Sequence, residues 1–495
     1  MEKILSALQA IPEYRLLLET LSRGQAAAVT GVGQINRSHM IAAVYRQCAR
    51  PVVVICQDDM AARRLQEELK AFLGETVPSL PSRELTLYDT AVVSRSWEQR
   101  RLRQLYDLAQ GATRLQIFTW EALSQRTVPK SVLLKAAFQL ETGKDYSLED
   151  ITARLAHSGY TRCDMVEGPG QFALRGGILD VFSPAADRPF RGEFWGDTLD
   201  TMGFFDPDTQ RRTENVEKVT ILPVGETQPM LHPGGLDGLC RDISGLITRQ
   251  KRRRTPNEAL LSTLERDLEK YRNQVMNPAS DRYMALIYPE NATAMDYIPQ
   301  DAVILVLDQS GLHRAARTRV EEMGLQLDSL LQSGLVAGEL CDYVCQWEDF
   351  CRCLTGRKVA YLDAFGGGTY PEECRPAQLL PITAKQLPGY GGNLETAAED
   401  LSHYQKMEFA CLVLCGTRRR AELLQQMLTE KTSARFCAFP CTPCPSPVRS
   451  CWRRGRCPSA WNIPARGWRY SPRASFFPRQ SRSARQRKPP PTGKS

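Results

Sequence analysis

Two stretches hold residues whose types and order could handle a nucleotide. Thr30-Gly31-Val32-Gly33-Gln34-Ile35 follows an apolar run and precedes a helical pattern at about 38–46. Strand, glycine turn and helix is the setting of a phosphate-binding loop. Its G-x-x-x-x-G-K-[ST] pattern gives backbone N–H groups to the phosphates, a lysine to the β/γ oxygens and a hydroxyl to magnesium. Registered on Gly31 and Gly33, the chain has Ala28 for the first glycine, Gln34 for the lysine and Ile35 for the hydroxyl, so charge and metal ligand are both lost. Taken alone, T-G-x-G reads as a tight turn. The second stretch, residues 303–309 (VILVLDQ), is an apolar strand ending in Asp308-Gln309, where an intact site would end in Asp-Glu. Asp308 could still help to hold a metal, but the amide of Gln309 cannot act as a general base. Two eroded halves in the right order read as one degenerate nucleotide site made of Gly31, Gly33, Gln34, Ile35, Asp308 and Gln309. No residue is assigned a catalytic role.

Residues 168–213 point to recognition instead. Alternating runs at 172–175, 178–182, 190–195 and 199–205 are separated by Gly176-Gly177, 184–189, Gly196-Asp197 and Asp206-Pro207, the punctuation of an antiparallel meander of short strands. In the third run, period two puts Phe190, Gly192 and Phe194 on one face and Arg191, Glu193 and Trp195 on the other. Arg and Trp dominate protein–protein hot spots because they combine area with directional donors. An ordinary solvated face with a partly covered edge tryptophan is the other reading, and composition does not choose between them.

The runs RGGILDVFSP, PFRGEFWGD and FDPDTQRRT resemble, in order, spacing and residue type, the second domain shared by the excinuclease subunit UvrB and the transcription-repair coupling factor (Mfd) family. Both families bind the excinuclease subunit UvrA through that domain. The resemblance implies that Arg175, Arg191 and Trp195 contact UvrA, with Trp195 standing where an aromatic, commonly Phe, is usual. It extends over roughly residues 1–430. In the Mfd family the first domain copies the UvrB nucleotide fold, has lost the ATP site, and carries the UvrA-binding domain as an insertion. UvrB keeps the Lys and Thr that Gln34 and Ile35 replace, so the chain is nearer to Mfd.

The elements that must position these residues alternate. An amphipathic helix at 2–22, strands at 51–57 and 115–119 and a helix at 60–73 imply an α/β layer with a parallel sheet. A charged helix at 256–274 follows Lys251-Arg252-Arg253-Arg254, a solvated cluster by default with weak DNA-backbone contact as the alternative. Residues 312–355 are helical, and Cys341, Cys345, Cys351 and Cys353 have neither a nearby His nor C-x-x-C spacing, so no metal site is assigned. A strand at 359–362, a Gly366-Gly367-Gly368 loop, a strand at 409–415 and a helix at 419–430 read as a small α/β unit resembling the third Mfd domain. The expected fold class is α/β. A degenerate P-loop NTPase-like, UvrB-like domain (1–136 and 225–345) carries an inserted small antiparallel α+β UvrA-binding domain (137–224), and a small α/β domain (356–432) and a disordered basic tail (434–495) follow.

At 495 residues the chain is long enough for about three domains. Its net charge of +8 is uneven: 15 of the 64 Lys and Arg lie in 431–495, which has no Asp or Glu, leaving 49 basic against 56 acidic residues in the body. The tail also holds 11 prolines and five of the 16 cysteines and shows no periodicity, so it should be disordered. It reads either as a basic arm whose Trp452, Trp461, Trp468 and Tyr470 stack on bases, or, preferred, as the product of a frameshift. No run approaches the roughly 20 apolar residues of a membrane span, and the start does not read as a signal peptide. Reduced thiols and a cytoplasmic location are therefore expected. The resemblance implies the N-terminal, UvrA-recruiting portion of a transcription-repair coupling factor, ending before the family's RNA-polymerase-binding domain and DNA-translocating motor. RNA polymerase, DNA, ATP and Mg would be partners of the full-length family, with no cofactor in this chain. The rival reading is a UvrB-like ATP-dependent damage-binding helicase subunit.

Overall fold

The computed structural model describes residues 5–89, 96–275, 277–382 and 394–407, with short pieces beyond at 411–413, 419, 422–423, 425–426 and 469–471. Its centre is a six-stranded, all-parallel sheet. The strands are β1 (Ala27–Thr30), β2 (Val52–Cys56), β3 (Leu115–Thr119), β12 (Val303–Leu307), β13 (Lys358–Leu362) and β14 (Gln378–Pro381), in the order β14-β1-β13-β12-β2-β3. Runs such as VVVIC and VILVL are apolar at every position because helices cover both faces of a parallel sheet. Alternation still sorts them. Val53, Ile55, Ile304 and Val306 enter one core with Leu102, Leu105 and Leu264, whereas Val52, Val54, Val303 and Leu305 enter the other with Leu17, Leu65 and Leu69.

Local signals set the helix ends. The amphipathic pattern at the start is broken at Pro12, which sits at the first position of helix α1 (Pro12–Ser22), because a ring without an N–H begins a helix but cannot continue one. Helix α2 (Gln34–Gln47) starts at Gly33. Helix α3 (Asp59–Leu73) is capped by the Asp58 carboxylate, which accepts from the Ala61 N–H, and stops at Gly74 with φ +79°. Helices α4 (Ser96–Ala109), α5 (Leu148–His157), α6 (Gly235–Lys251), α7 (Glu258–Arg272) and α8 (Gln309–Gln332) complete the frame used below.

The inserted unit is separate from this sheet. Strands β4 (Phe138–Glu141) and β11 (Lys218–Ile221) pair antiparallel where the chain enters and leaves it. Between them, β5 (Thr161–Arg162), β6 (Gln171–Arg175), β7 (Ile178–Val181), β8 (Phe190–Trp195), β9 (Thr198–Phe205) and β10 (Arg212–Asn215) form a second sheet in the order β10-β9-β8-β7-β6-β5. The β5–β6 pair is parallel and the rest antiparallel. One face packs Leu179, Val181, Phe190, Leu199 and Met202 against Ile151 and Leu155 of α5.

The first sheet continues past the expected boundary at 345–356. Strand β13 lies between β1 and β12, and β14 pairs with β1, so residues 358–381 finish the first sheet instead of opening a third domain. The reason is burial: β1 needs a parallel neighbour on each side, and VAYL, buried along its length, has to be an interior strand. Of the strand expected at 409–415 only Cys411–Val413 is described, and the helix at 419–430 and the tail fall largely outside the described residues. The piece Arg469–Ser471 pairs parallel with Cys411–Val413. Among the described residues, no helix is long and apolar enough to cross a membrane.

Candidate functional site: a clamped arginine pair and a closed glycine turn

The second sheet turns its other face outward, and a carboxylate organises that face. Asp180 on β7 is fully buried and stands opposite Ala173 on β6 and Arg191 on β8. Arg191 donates from Nε to Asp180 Oδ1 at 2.7 Å and from Nη2 to Oδ2 at 2.9 Å, a bidentate pair. Arg175 donates from Nη2 to the same Oδ2 at 2.8 Å. Arg191 is held on two further sides, by the Gln210 carbonyl and Oε1 at 3.4 and 3.2 Å and by the Phe205 ring, whose centroid is 4.7 Å from the guanidinium carbon. The Asp180 hydrogen bonds raise the Arg191 pKa against the opposing effect of burial. The Arg175 side chain is 50% exposed and that of Arg191 20%.

Trp195 lies farther along β8, 85% exposed, paired with Thr198 beside the turn to β9. The pairing shifts register between Glu193 and Phe194, yet alternation holds: Phe194 packs toward the inner core and Trp195 points out. Between the arginines and Trp195, Ile178 is 39% exposed and stands opposite both Arg175 and Glu193, and Arg212 pairs with Glu193 at 3.5 Å. Arg175, Arg191 and Trp195 thus share one open face. The two arginines meet on Asp180, whereas the Trp195 side chain makes no hydrogen bond, ion pair or ring contact among the described residues. Sequence reading missed Asp180 and Gln210. The signal for Asp180 was an acid inside the apolar run ILDVF, since a buried charge needs a partner.

At the carboxyl ends of the parallel strands the structure gathers Gly31, Gly33, Asp308 and Gln309, together with Asp363 and Arg37, which the sequence did not single out. The turn is closed on itself. Gly31 has φ +80°, and an added Cβ would overlap the Ile382 carbonyl oxygen. The Val32 N–H donates to the Asp363 carbonyl at 3.1 Å, and Arg37 Nε donates to the Val32 carbonyl at 3.2 Å. Gln34, in place of the lysine, donates to Glu68 at 3.5 Å, and the Ile35 side chain lies outside the described residues. Asp308, with φ +51°, caps α8 by accepting from the Gly311 N–H at 3.2 Å, and the buried Gln309 donates its N–H to Asp363 Oδ1 at 3.0 Å. Burial lowers the Arg37 pKa against the pull of Asp308 and Asp363, and burial raises that of Asp363. The Val32 N–H, Asp308 Oδ1 and Asp363 Oδ1 are thus engaged within the protein itself.

Elsewhere, two residues of that basic cluster are answered within the chain, Lys251 by Glu265 and Arg253 by Glu339. Cys345 and Cys351 are buried, their thiols pushed up by burial to about 12. No His, Cys, Asp or Glu group fit to hold a metal occurs among the described residues.

Residues 138–226 match the UvrB interaction domain family. That span begins at the first residue of β4 and ends just past β11, so it is the whole inserted unit. The chain as a whole is similar to the transcription-repair-coupling factor of Myxococcus xanthus (26% identity over 444 residues, 84% of this chain and 36% of the relative). It is likewise similar to those of Bacillus subtilis strain 168 (22%, 87% of this chain and 36% of the relative) and Staphylococcus aureus strain USA300 (25%, 82% and 34%). The similarity to these transcription-repair-coupling factors extends over 82–87% of this chain. The chain spans about a third of the length of the curated relatives it matches, consistent with an N-terminal portion.

Proposed function

We propose that this chain recruits UvrA in transcription-coupled nucleotide excision repair, as the UvrA-binding portion of a transcription-repair-coupling factor. The observation that carries the reading is the outer face of the second sheet. It holds two arginines on a buried carboxylate and a nearly fully exposed tryptophan, within a unit that matches the UvrB interaction domain. Arg175 and Arg191 supply directional donors, and Trp195 and Ile178 supply apolar area that is costly to leave wet, the combination found at interface hot spots. The glycine turn and Asp308-Gln309 serve as structural joints of the first sheet, and nucleotide chemistry is not assigned to them.

A titration of purified UvrA against the chain, Arg191→Ala and Trp195→Ala tests this. Each substitution should weaken binding by about 2 kcal/mol, roughly thirtyfold, Trp195→Ala with unchanged melting and Arg191→Ala, which leaves the buried Asp180 to Arg175 alone, with lowered melting and so compared at a temperature where it is folded. If both folded variants bind like the parent, the outer face is an ordinary solvated surface and the assignment fails. UvrB, which carries the same kind of domain, should compete with the parent chain for UvrA.

A further inference from the structure

Two features of the outer face exceed what a solvated sheet needs. The first is Asp180, whose two carboxylate oxygens receive three guanidinium hydrogen bonds from β6 and β8 while the group is fully buried. An isolated carboxylate inside a sheet is strongly disfavoured, so this one is kept only by its partners. The second is Gln210, a non-glycine residue at φ +57°, a conformation that L side chains rarely adopt. Gln210 is fixed there by its own bonds: its N–H donates to the Asp206 carbonyl at 2.8 Å, and its Nε2 donates to the Pro207 carbonyl at 2.8 Å and to the Val166 carbonyl at 3.3 Å. That leaves its carbonyl and Oε1 facing Arg191. With Phe205 below, Arg191 is held from several sides although a fifth of its side chain reaches solvent. A free surface arginine has rotamer entropy to lose on binding. Here most of that is already lost in the unbound chain.

We propose that Asp180 and Gln210 are positioning residues for partner recognition: Asp180 fixes Arg175 and Arg191 against each other, and Gln210 locks the free side of Arg191, so that the pair meets UvrA preorganised. This rests on the UvrA reading above and deepens it. Neither residue has to touch the partner.

The test uses the full chain and purified UvrA, with Asp180→Asn, Gln210→Gly, Arg191→Ala, Arg175→Ala/Arg191→Ala and the combined Asp180→Asn/Arg175→Ala/Arg191→Ala variant, at a temperature where circular dichroism shows each folded. Asp180→Asn should weaken UvrA binding about tenfold, the range expected when a hydrogen bond to a charged group is lost. The same substitution should add almost nothing once both arginines are gone. Gln210→Gly relieves the backbone and so keeps the fold, yet should weaken binding severalfold, an outcome that a merely structural role does not give. If Asp180→Asn does not fold, the parent chain still decides. With 15N-labelled arginine, the Arg191 Nε–H signal should resist solvent exchange at pH 8 before UvrA is added. The inference is overturned if Arg191→Ala weakens binding while folded Asp180→Asn and Gln210→Gly bind like the parent. It is also overturned if Asp180→Asn weakens binding equally without the arginines, or if the Arg191 Nε–H exchanges like an exposed arginine. If Arg191→Ala itself leaves binding unchanged, the UvrA surface is wrong and the inference goes with it.

Discussion

At the scale of residues, the same side-chain types do opposite work in the two halves of this chain. On the inserted sheet, Asp180 orders arginines that remain partly open to solvent. At the end of the parallel sheet, Asp363 and Asp308 face an arginine, Arg37, that turns inward to the Val32 carbonyl. The second arrangement is spent on the fold. The chain should accordingly show no specific ATP binding in equilibrium dialysis, and Gln34→Lys should not create it. The new lysine would face Glu68, the Val32 N–H would still be bonded to Asp363, and Gly31 would still abut Ile382. Saturable ATP binding by Gln34→Lys that disappears in the Gly33→Ala background would show that the turn can open around phosphates. Gln34, Asp308 and Gln309 could be read from sequence because they depart from a known spacing. Arg37 and Asp363 could not, because neither belongs to that pattern and only strand order brings them beside it.

At the scale of elements, the neck of the insertion is the β4–β11 pair, where Glu141 stands opposite Lys218. Glu141 bonds Lys144 at 2.5 Å and Lys218 at 2.9 Å, and these contacts lower its pKa from 4.5 to about 2. A carboxyl depressed in the folded state stabilises fully above its unfolded pKa, and that stabilisation is lost as pH falls through the folded value. The window is therefore about pH 4.5 down to 2. Melting of the parent should drop more steeply across it than melting of Glu141→Gln, with the two curves converging near pH 2. A parent–variant gap that stays constant across the window would mean that the pairing does not survive in solution. The strands of the insertion were visible from sequence because Gly-Gly, Gly-Asp and Asp-Pro breaks separate period-two runs. The two-residue strand β5 and the exposed β10 carry no such signal and exist by pairing to the sheet edges.

At the scale of the molecule, the exit of the insertion is tied into the first unit by buried charge. Arg101 on α4 and Glu226 are both fully buried and 2.8 Å apart, Thr127 donates to Glu226, and the Glu226 N–H donates to Glu98 at 2.6 Å. Beside them Arg83 contacts Thr227 and Asp281. Arg101 Nε and Nη2 have no hydrogen bond of good geometry, so the pair is only partly compensated for its desolvation, and burial lowers the Arg101 pKa. Such a pair adds little net stability but is damaging to break. Glu226→Ala should destabilise the chain by about 3–5 kcal/mol in urea unfolding, and Arg101→Met/Glu226→Leu should recover most of that loss. A single variant that unfolds with the parent would mean that the insertion is not anchored there.

The sequence by itself determined the alternation of apolar strands and helices, the meander of the insertion, the departures at Gln34 and Gln309, and the three outward residues Arg175, Arg191 and Trp195, because each is written in local spacing. Only the tertiary structure decided that β13 and β14 belong to the first sheet, that two arginines from different strands share the buried Asp180, and that the glycine turn is closed by Ile382 and Asp363. The physical reason is the range of the forces involved. Periodicity and turn chemistry act over a few residues. Strand order and the pairing of buried charges join positions far apart in the chain, and they are fixed only when burial makes an unpaired neighbour too unfavourable to keep.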